Sequence, residues 1–376
     1  MRLRSAVDQE IRDLIQKKGR ITFAEFMQAC LYSPLGGFYS SRGNRISSHF
    51  GTSPTSHPVF GALIARQLEQ MWRLLGDPPV FHVIEVGSGD GALALSIVEA
   101  CRRMAPRLAQ ALYYVAADYQ PCWLQSPDHT SGWGYGTEAL MNPKREDTIL
   151  GIQRVKAEGS RPFQNVVGCI LCNELIDNFP VHRFAVQDGR VKEVFVTSEG
   201  RNLTEVLDEP STPRIEKRLA SLGLSLPEGY RGEVNLAMED WTGQLASALD
   251  RGFVLTIDYG QLAPDLYSPQ NSQGTLVCYN RHVVSSDPYQ DIGQQDITAQ
   301  VDFTSLMRLG DRHGLTTVGY ALQSQFLKNL GFSSFLDALQ TQGLSAARME
   351  LGRMAIMSLV NPDEYGGFKR LGHAKG

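Results

Sequence analysis

Phe81-His82-Val83-Ile84-Glu85-Val86-Gly87-Ser88-Gly89-Asp90-Gly91 runs directly into Ala92-Leu93-Ala94-Leu95-Ser96-Ile97-Val98. A short β-branched run, a glycine-dense turn and a helical apolar pattern follow one another, which predicts strand, loop and helix. The glycines permit left-handed backbone and leave room for a ligand against the main chain. The helix start adds free N–H groups and a partial positive charge. Two cofactor readings fit this loop. Gly87, Gly89 and Ala92 satisfy the dinucleotide fingerprint G-x-G-x-x-G/A. Glu85 with Gly87, Gly89 and Gly91 satisfies the acid-x-G-x-G-x-G turn of S-adenosylmethionine (SAM) enzymes. The acids favour the second. A pyrophosphate gains nothing from Glu85 or Asp90 beside it, whereas the methionine end of SAM carries an ammonium and a sulfonium. A NAD(P)-dependent oxidoreductase stays open at this point.

Downstream, Leu112 to Ala117 reads as a second strand ending at Asp118, the place where an acid accepts from both ribose hydroxyls in this kind of fold. Trp123 and Trp133 are candidates for stacking on adenine. The apolar run Val166 to Leu171 ends in Cys172-Asn173-Glu174-Leu175-Ile176-Asp177-Asn178-Phe179-Pro180-Val181. Polar residues at the carboxyl end of a buried strand are where open α/β sheets place their chemistry. Glu174 and Asp177, three apart, would share one side of a helical turn, as a pair for a cationic substrate or as acids favouring a helix start. Residues 183–234 read as an insertion with a hairpin around Asp188-Gly189. An amphipathic stretch, Asn235 to Leu249, then leads to a strand at Phe253 to Gly260 that carries Asp258 and Tyr259. Residues 261–300 read as polar loop, 304–313 and 324–340 as helices, and Met354 to Val360 as an apolar segment. The βα alternation predicts an α/β protein with a doubly wound parallel sheet.

Upstream, residues 1–30 look helical. Thr22 is placed to cap a helix from Phe23 with Glu25 in its first turn. Residues 40–58, including Thr52 and Ser53, read as a surface loop or a lid over a ligand. Phe60, Ile64, Leu68, Met71 and Leu75 form one core-facing helical stripe. The expected division is a helical N-terminal extension at 1–79, a first core segment at 80–182, the insertion at 183–234 and a second core segment at 235–376.

A chain of 376 residues with 42% hydrophobic and 20% charged residues suits a globular protein with a sizeable core. A net charge of −4 gives no general pull toward nucleic acid or an acidic membrane. No apolar run is long enough to cross a bilayer. No apolar h-region follows Arg2 and Arg4, and Asp8, Glu10 and Asp13 argue against a transit peptide, so a cytoplasmic location is expected. Six cysteines in this length make no disulfide framework, and Cys169-x-x-Cys172, inside an apolar run, reads as two buried thiols.

Taken in chain order, the motifs resemble the MidA-like SAM-dependent methyltransferases, the group that includes the mitochondrial complex I assembly methyltransferase. The resemblance is carried by Ile21 to Met27, Leu31-Tyr32-Ser33-Pro34 with Gly37-Phe38-Tyr39, Thr52-Ser53-Pro54 before Phe60-Gly61, and Glu85 to Gly91. Asn173 to Val181, Asp258-Tyr259-Gly260, Gly274 to His282 and Asp296 to Phe303 continue it along nearly the whole chain. It implies a class I (Rossmann-like) methyltransferase fold, SAM as cofactor and, for the mitochondrial members, symmetric dimethylation of an arginine on a respiratory complex I subunit. By position it implies Glu85, Gly87 and Gly89 at the methionine and ribose end of SAM, matches Asp118 to the family's acid after the second strand, and matches Asn173 and Glu174 to the start of its substrate-side loop; Ser88 and Asn173 join the cofactor-binding candidates. Glu174 is the first choice and Asp177 the second for holding the acceptor; Thr52, Ser53, Asp258, Tyr259 and His282 are the substrate-side candidates. No metal site is expected. The chain departs from the family pattern at His49, Thr55-Ser56-His57 and Asn178-Phe179, positions on the substrate side. A SAM-binding assembly factor without catalysis is the competing class, distinguished by binding without turnover.

Overall fold

The strand read at Phe81–Val86 (β1) lies inside a seven-stranded sheet, third from one edge. Its partners are Leu112–Asp118 (β2), Ile152–Lys156 (β3), Val166–Asn173 (β4), Leu249–Asp258 (β5), Thr316–Leu322 (β6) and Lys369–Lys375 (β7). The spatial order is β3-β2-β1-β4-β5-β7-β6. Strands β1 to β5 are parallel, and β7 runs antiparallel to both β5 and β6. The dinucleotide-binding order is 3-2-1-4-5-6, so the antiparallel β7 between β5 and β6 sets this sheet apart from it. After β1 the chain builds β2 and β3 to one side, then returns to place β4 on the other. This reversal opens a crevice beyond the carboxyl ends of β1 and β4.

The computed structural model describes residues 5–40, 53–118, 152–156, 163–281, 283–340 and 345–376. Thr52, His282, Trp123 and Trp133 lie outside them. Contacts divide the chain into two compact units: Gly51–Leu175, Gly243–Tyr259 and Gly310–Gly376 form the sheet unit, and Met1–Phe50, Ile176–Thr242 and Gly260–Leu309 form the other. In the sheet unit the helix Val59–Leu74 buries the predicted stripe Phe60, Ile64, Leu68 and Met71 with Ile97, Leu171 and Leu255. That burial ties residues 59–74 to the sheet, so the structure does not follow the expected extension boundary at 79. Cys169 and Cys172 are buried free thiols on β4, and burial pushes the Cys169 thiol up to about 12.

The other unit holds a five-stranded antiparallel sheet built on Ile21–Thr22, His182–Gln187, Arg190–Glu199, Asn202–Asp208 and Arg231–Val234. The expected hairpin is there: Gln187 pairs with Arg190 across Asp188 and Gly189, whose φ values of 53° and 67° suit a tight primed turn. Thr22 and Glu25 form a reciprocal capping box at the start of the helix Phe23–Tyr32. Residues 183–234 therefore share a unit with the N-terminal helices and with 260–309, and the expected continuous segment 235–376 is divided between the two units.

Two local expectations are corrected, and a third segment gains its structure. Within 261–300, Val277–Asn280, Val283–Ser285 and Asp296–Thr298 form a three-stranded antiparallel sheet. The helix expected at 324–340 is two helices, Gln323–Asn329 and Phe332–Gln340, parted at Gly331 with φ 85°. Met354 to Ser358 closes the helix Ala346–Ser358. Among the described residues, no helix is long and apolar enough to cross a membrane.

Candidate functional site

Strand pairing aligns the ends that carry the predicted residues: Val86 lies opposite Ala117 on β2 and Cys172 on β4, and Asn173 lies opposite Ile257 on β5. The glycine loop leaves β1 with Gly87, Gly89 and Gly91 at φ 77°, 53° and 79°. The N–H groups of Gly87 and Ser88 both donate to the Ala117 carbonyl, at 2.9 and 3.1 Å, and the Gly91 N–H donates to the Ser88 carbonyl at 2.8 Å. These bonds fold the loop back over β2. A Cβ on Gly87 would stand 2.9 Å from Leu175 Cδ1, so a side chain there displaces the tip of Leu175 and is strained by the positive φ.

Asp118, at the end of β2, accepts from the Gly89 N–H at 2.8 Å and so joins its strand end to the loop. Glu85 is buried and accepts from the Tyr114 hydroxyl at 2.8 Å. Burial pushes its carboxyl up to about 8, the Tyr114 hydrogen bond opposes that, and the charges of Asp118 and Asp90 add to it. A buried acid in an acidic neighbourhood suits a cationic ligand and not an anionic pyrophosphate. Two further polar atoms, Ser88 Oγ and Asn173 Oδ1, are buried with no hydrogen-bond partner among the described residues. Buried polar atoms are costly unless bonded, so both fit a site that a polar ligand completes. Glu85, Ser88, Asp118 and Asn173 are thus suited to SAM, whose ammonium and hydroxyls offer donors to acceptors such as Ser88 Oγ and Asn173 Oδ1.

At the end of β4 the chain turns sharply. Glu174 has φ 51°, a left-handed conformation uncommon for a side-chain-bearing residue, and its N–H donates to the Ile257 carbonyl at 2.9 Å. Its Oε1 accepts from Asn173 Nδ2 at 3.0 Å and from the Ser53 N–H at 3.4 Å. Asp258, fully buried at the end of β5, accepts from the Leu175 N–H at 3.2 Å and the Tyr259 N–H at 2.9 Å. Its carboxylate ties down two loops, a clamping contact that differs from the substrate contact expected of it. Glu174, Asn173, Ser53, Asp258 and Tyr259 therefore come together at one edge of the sheet unit.

Asp177 is placed differently. The helical turn expected from Glu174 does not form, because Glu174 is left-handed and the 3-10 turn begins at Ile176. Asp177 belongs to the second unit, where its charge acts on the buried Asp296. Asp296 accepts from the Tyr39 hydroxyl at 2.9 Å and from Asn178 Nδ2 at 3.0 Å. Burial first, then Asp177, push the Asp296 carboxyl up to about 8. The sequence marks Tyr39 and Asp296 only as motif residues and gives them, like Tyr114, no place in a site, because their partners are far away in the chain.

The sign of the resulting pH dependence follows from the shift. Asp296 titrates near 3.8 when unfolded and near 8 when folded, so the folded state holds a proton the unfolded state has lost across that range. Its contribution to stability is full below about pH 4 and is lost as the pH rises through about 8. Asp296→Asn keeps an oxygen to accept from Asn178, turns the Tyr39 contact round so that the new amide donates to the hydroxyl, and removes the titration. Its melting temperature at pH 8 is expected to exceed that of the intact protein by several degrees, with the two converging near pH 4.5; a calorimetric pH series checks this.

With this geometry in place, three comparisons bear on identity. Residues 63–321 match the family described as "Putative S-adenosyl-L-methionine-dependent methyltransferase". The protein arginine methyltransferase NDUFAF7 homolog, mitochondrial, of Drosophila melanogaster is 26% identical over 95% of this chain and 82% of its own. The protein arginine methyltransferase NDUFAF7, mitochondrial, of Danio rerio is 25% identical over 93% of this chain and 82% of its own. A methyl transferase candidate from Burkholderia thailandensis, solved with S-adenosyl-homocysteine bound, superposes with a TM-score of 0.81 at 25% identity, over 98% of this chain and 92% of that one. Sheet order, acidic glycine loop and family match agree: the chain belongs to the S-adenosyl-L-methionine-dependent methyltransferases, with the class I Rossmann-like fold and SAM as its cofactor.

Proposed function

We propose that this methyltransferase transfers its methyl group to an arginine nitrogen of a protein, a respiratory-complex-type subunit being the first candidate. The observation that carries the reading is Glu174: a carboxylate at the end of β4, on a left-handed backbone, with Oε1 held by two N–H donors. Strain of this kind costs about 1–3 kcal/mol and concentrates at functional positions. The names of the Drosophila and Danio relatives support the acceptor class.

Bound SAM supplies an electrophilic methyl group on a sulfonium. Glu85 would face the cationic end, Ser88 and Asn173 would offer their buried acceptors, and Asp118 would hold the ribose hydroxyls. On the acceptor side a guanidinium is a poor nucleophile, because its nitrogen lone pairs are delocalised. The Glu174 carboxylate accepts two of its N–H groups side by side, which fixes the plane of the group and draws positive charge away from the nitrogen left to react. Once methylated, the group carries one charge too many and gives up a proton from an N–H already bonded to Glu174, which receives it.

Glu85 gives this arrangement a pH signature. Below about 8 its carboxyl is protonated in the ligand-free protein, and a cation binds best to the carboxylate. SAM affinity is therefore expected to rise between pH 6.5 and 8.5, by up to about tenfold per unit, with protons released on binding. Glu85→Gln flattens the profile, and calorimetric titrations across pH read both effects.

The acceptor class is tested by comparing methylarginine sites, by mass spectrometry, in cells with the gene and cells lacking it. At least one protein loses methylarginine in the deletion and regains it on complementation with the intact gene but not with Glu174→Gln. Unchanged methylarginine in the deletion contradicts the reading.

A further inference from the structure

Register brings four strand ends of the sheet unit to one place. Asn173 pairs with Ile257, Asp258 with Lys369, and Lys369 with Leu322. One step beyond these pairs stand Glu174, Tyr259, Phe368 and Gln323. The Phe368 ring lies 5.3 Å from that of Tyr259 and 5.9 Å from that of Tyr365, with the second pair edge to face. All three rings are only partly buried. The charge of Glu174, after burial, raises the Tyr365 phenol, which sets that ring within the field of the carboxylate.

The polar side of the same edge closes on itself. Gln323 is fully buried, donates its N–H to the Phe368 carbonyl at 2.7 Å, and donates Nε2 to Ser53 Oγ at 3.2 Å. Ser53 in turn donates its N–H to Glu174. Gln323 Oε1 has no hydrogen-bond partner among the described residues. Lys369, the neighbouring cation, donates its Nζ to the Gly367 carbonyl at 2.9 Å. A carboxylate, partly exposed aromatic rings and a buried acceptor make a receptor for a flat cation that both donates hydrogen bonds and stacks.

We propose that Tyr259, Tyr365 and Phe368, with Glu174, form a slot that selects a planar guanidinium over an ammonium, so that the rings set acceptor specificity. This rests on the reading of Glu174 as the acceptor-holding residue. An ammonium gains the carboxylate's charge but cannot lie flat against a ring or present paired N–H groups.

The test titrates the protein, saturated with S-adenosylhomocysteine and carrying ring-¹³C tyrosine, with ethylguanidinium chloride and separately with ethylammonium chloride. Ethylguanidinium is expected to shift the Tyr259 and Tyr365 ring signals saturably, and to bind at least about threefold more tightly than ethylammonium. Tyr365→Leu and Phe368→Leu each weaken it about two- to fivefold, while Tyr365→Phe, which keeps the ring, stays within about twofold of the intact protein. S-adenosylhomocysteine affinity serves as the folding control for each variant. Equal binding of the two cations, unshifted tyrosines, or unchanged affinity in both folded leucine variants overturns the slot. Methylation of arginine by a protein whose tyrosines ignore ethylguanidinium overturns the slot alone. A guanidinium-selective slot in a protein that leaves methylarginine unchanged overturns the acceptor reading alone.

Discussion

Gly87→Val abolishes S-adenosylhomocysteine binding, raising the dissociation constant at least about 100-fold, close to 3 kcal/mol. Three costs converge at this position. The backbone φ of 77° is open to glycine and poorly open to a β-branched residue. A Cβ meets Leu175 Cδ1 at 2.9 Å, and Leu175 directly follows Glu174. The new methyls also occupy space that the loop keeps against a ligand. Sheet hydrogen bonds run through the backbone on either side, so circular dichroism is expected to show the same secondary structure as the intact protein. Titration calorimetry measures the loss; retention of affinity within about tenfold removes the cofactor from the 85–91 loop.

Glu174→Gln leaves S-adenosylhomocysteine affinity within about threefold and lowers methyl transfer by about 10²- to 10³-fold. The substitution is nearly isosteric. Its carbonyl oxygen still accepts from Asn173 and Ser53, so the edge of the sheet keeps its shape. What disappears is the charge that holds and polarises a cationic acceptor. Transfer of tritium from labelled SAM into protein, using an extract of cells lacking the gene as the acceptor source, separates the two readouts. A variant that binds and transfers as well as the intact enzyme excludes Glu174 from the chemistry.

Much of this site was legible because it is local. The strand, glycine turn and helix at 81–98 announce themselves by composition and period, and Asp118, Asn173 and Asp258 stand at strand ends that apolar runs mark clearly. The Thr22–Glu25 box and the Asp188-Gly189 turn depend on neighbours within four residues. Long-range pairing hides the rest. β7, Lys-Arg-Leu-Gly-His-Ala-Lys, has neither alternation nor β-branched residues, yet it closes the sheet by lying antiparallel between β5 and β6. Tyr365, Phe368 and Gln323 reach the Glu174 edge only through that closure. Spacing misled at Asp177: three residues from Glu174 means a shared face only if the intervening backbone is helical, and Glu174 is left-handed.

The most direct measurement incubates the purified protein with tritiated SAM and the deletion-strain extract, hydrolyses the labelled protein to amino acids, and separates them by chromatography. The proposed function requires label that coelutes with methylated arginine, present with the intact protein and absent with Gly87→Val and Glu174→Gln. Label in methylated lysine, or no protein label at all from a protein that binds S-adenosylhomocysteine at micromolar concentration, contradicts it.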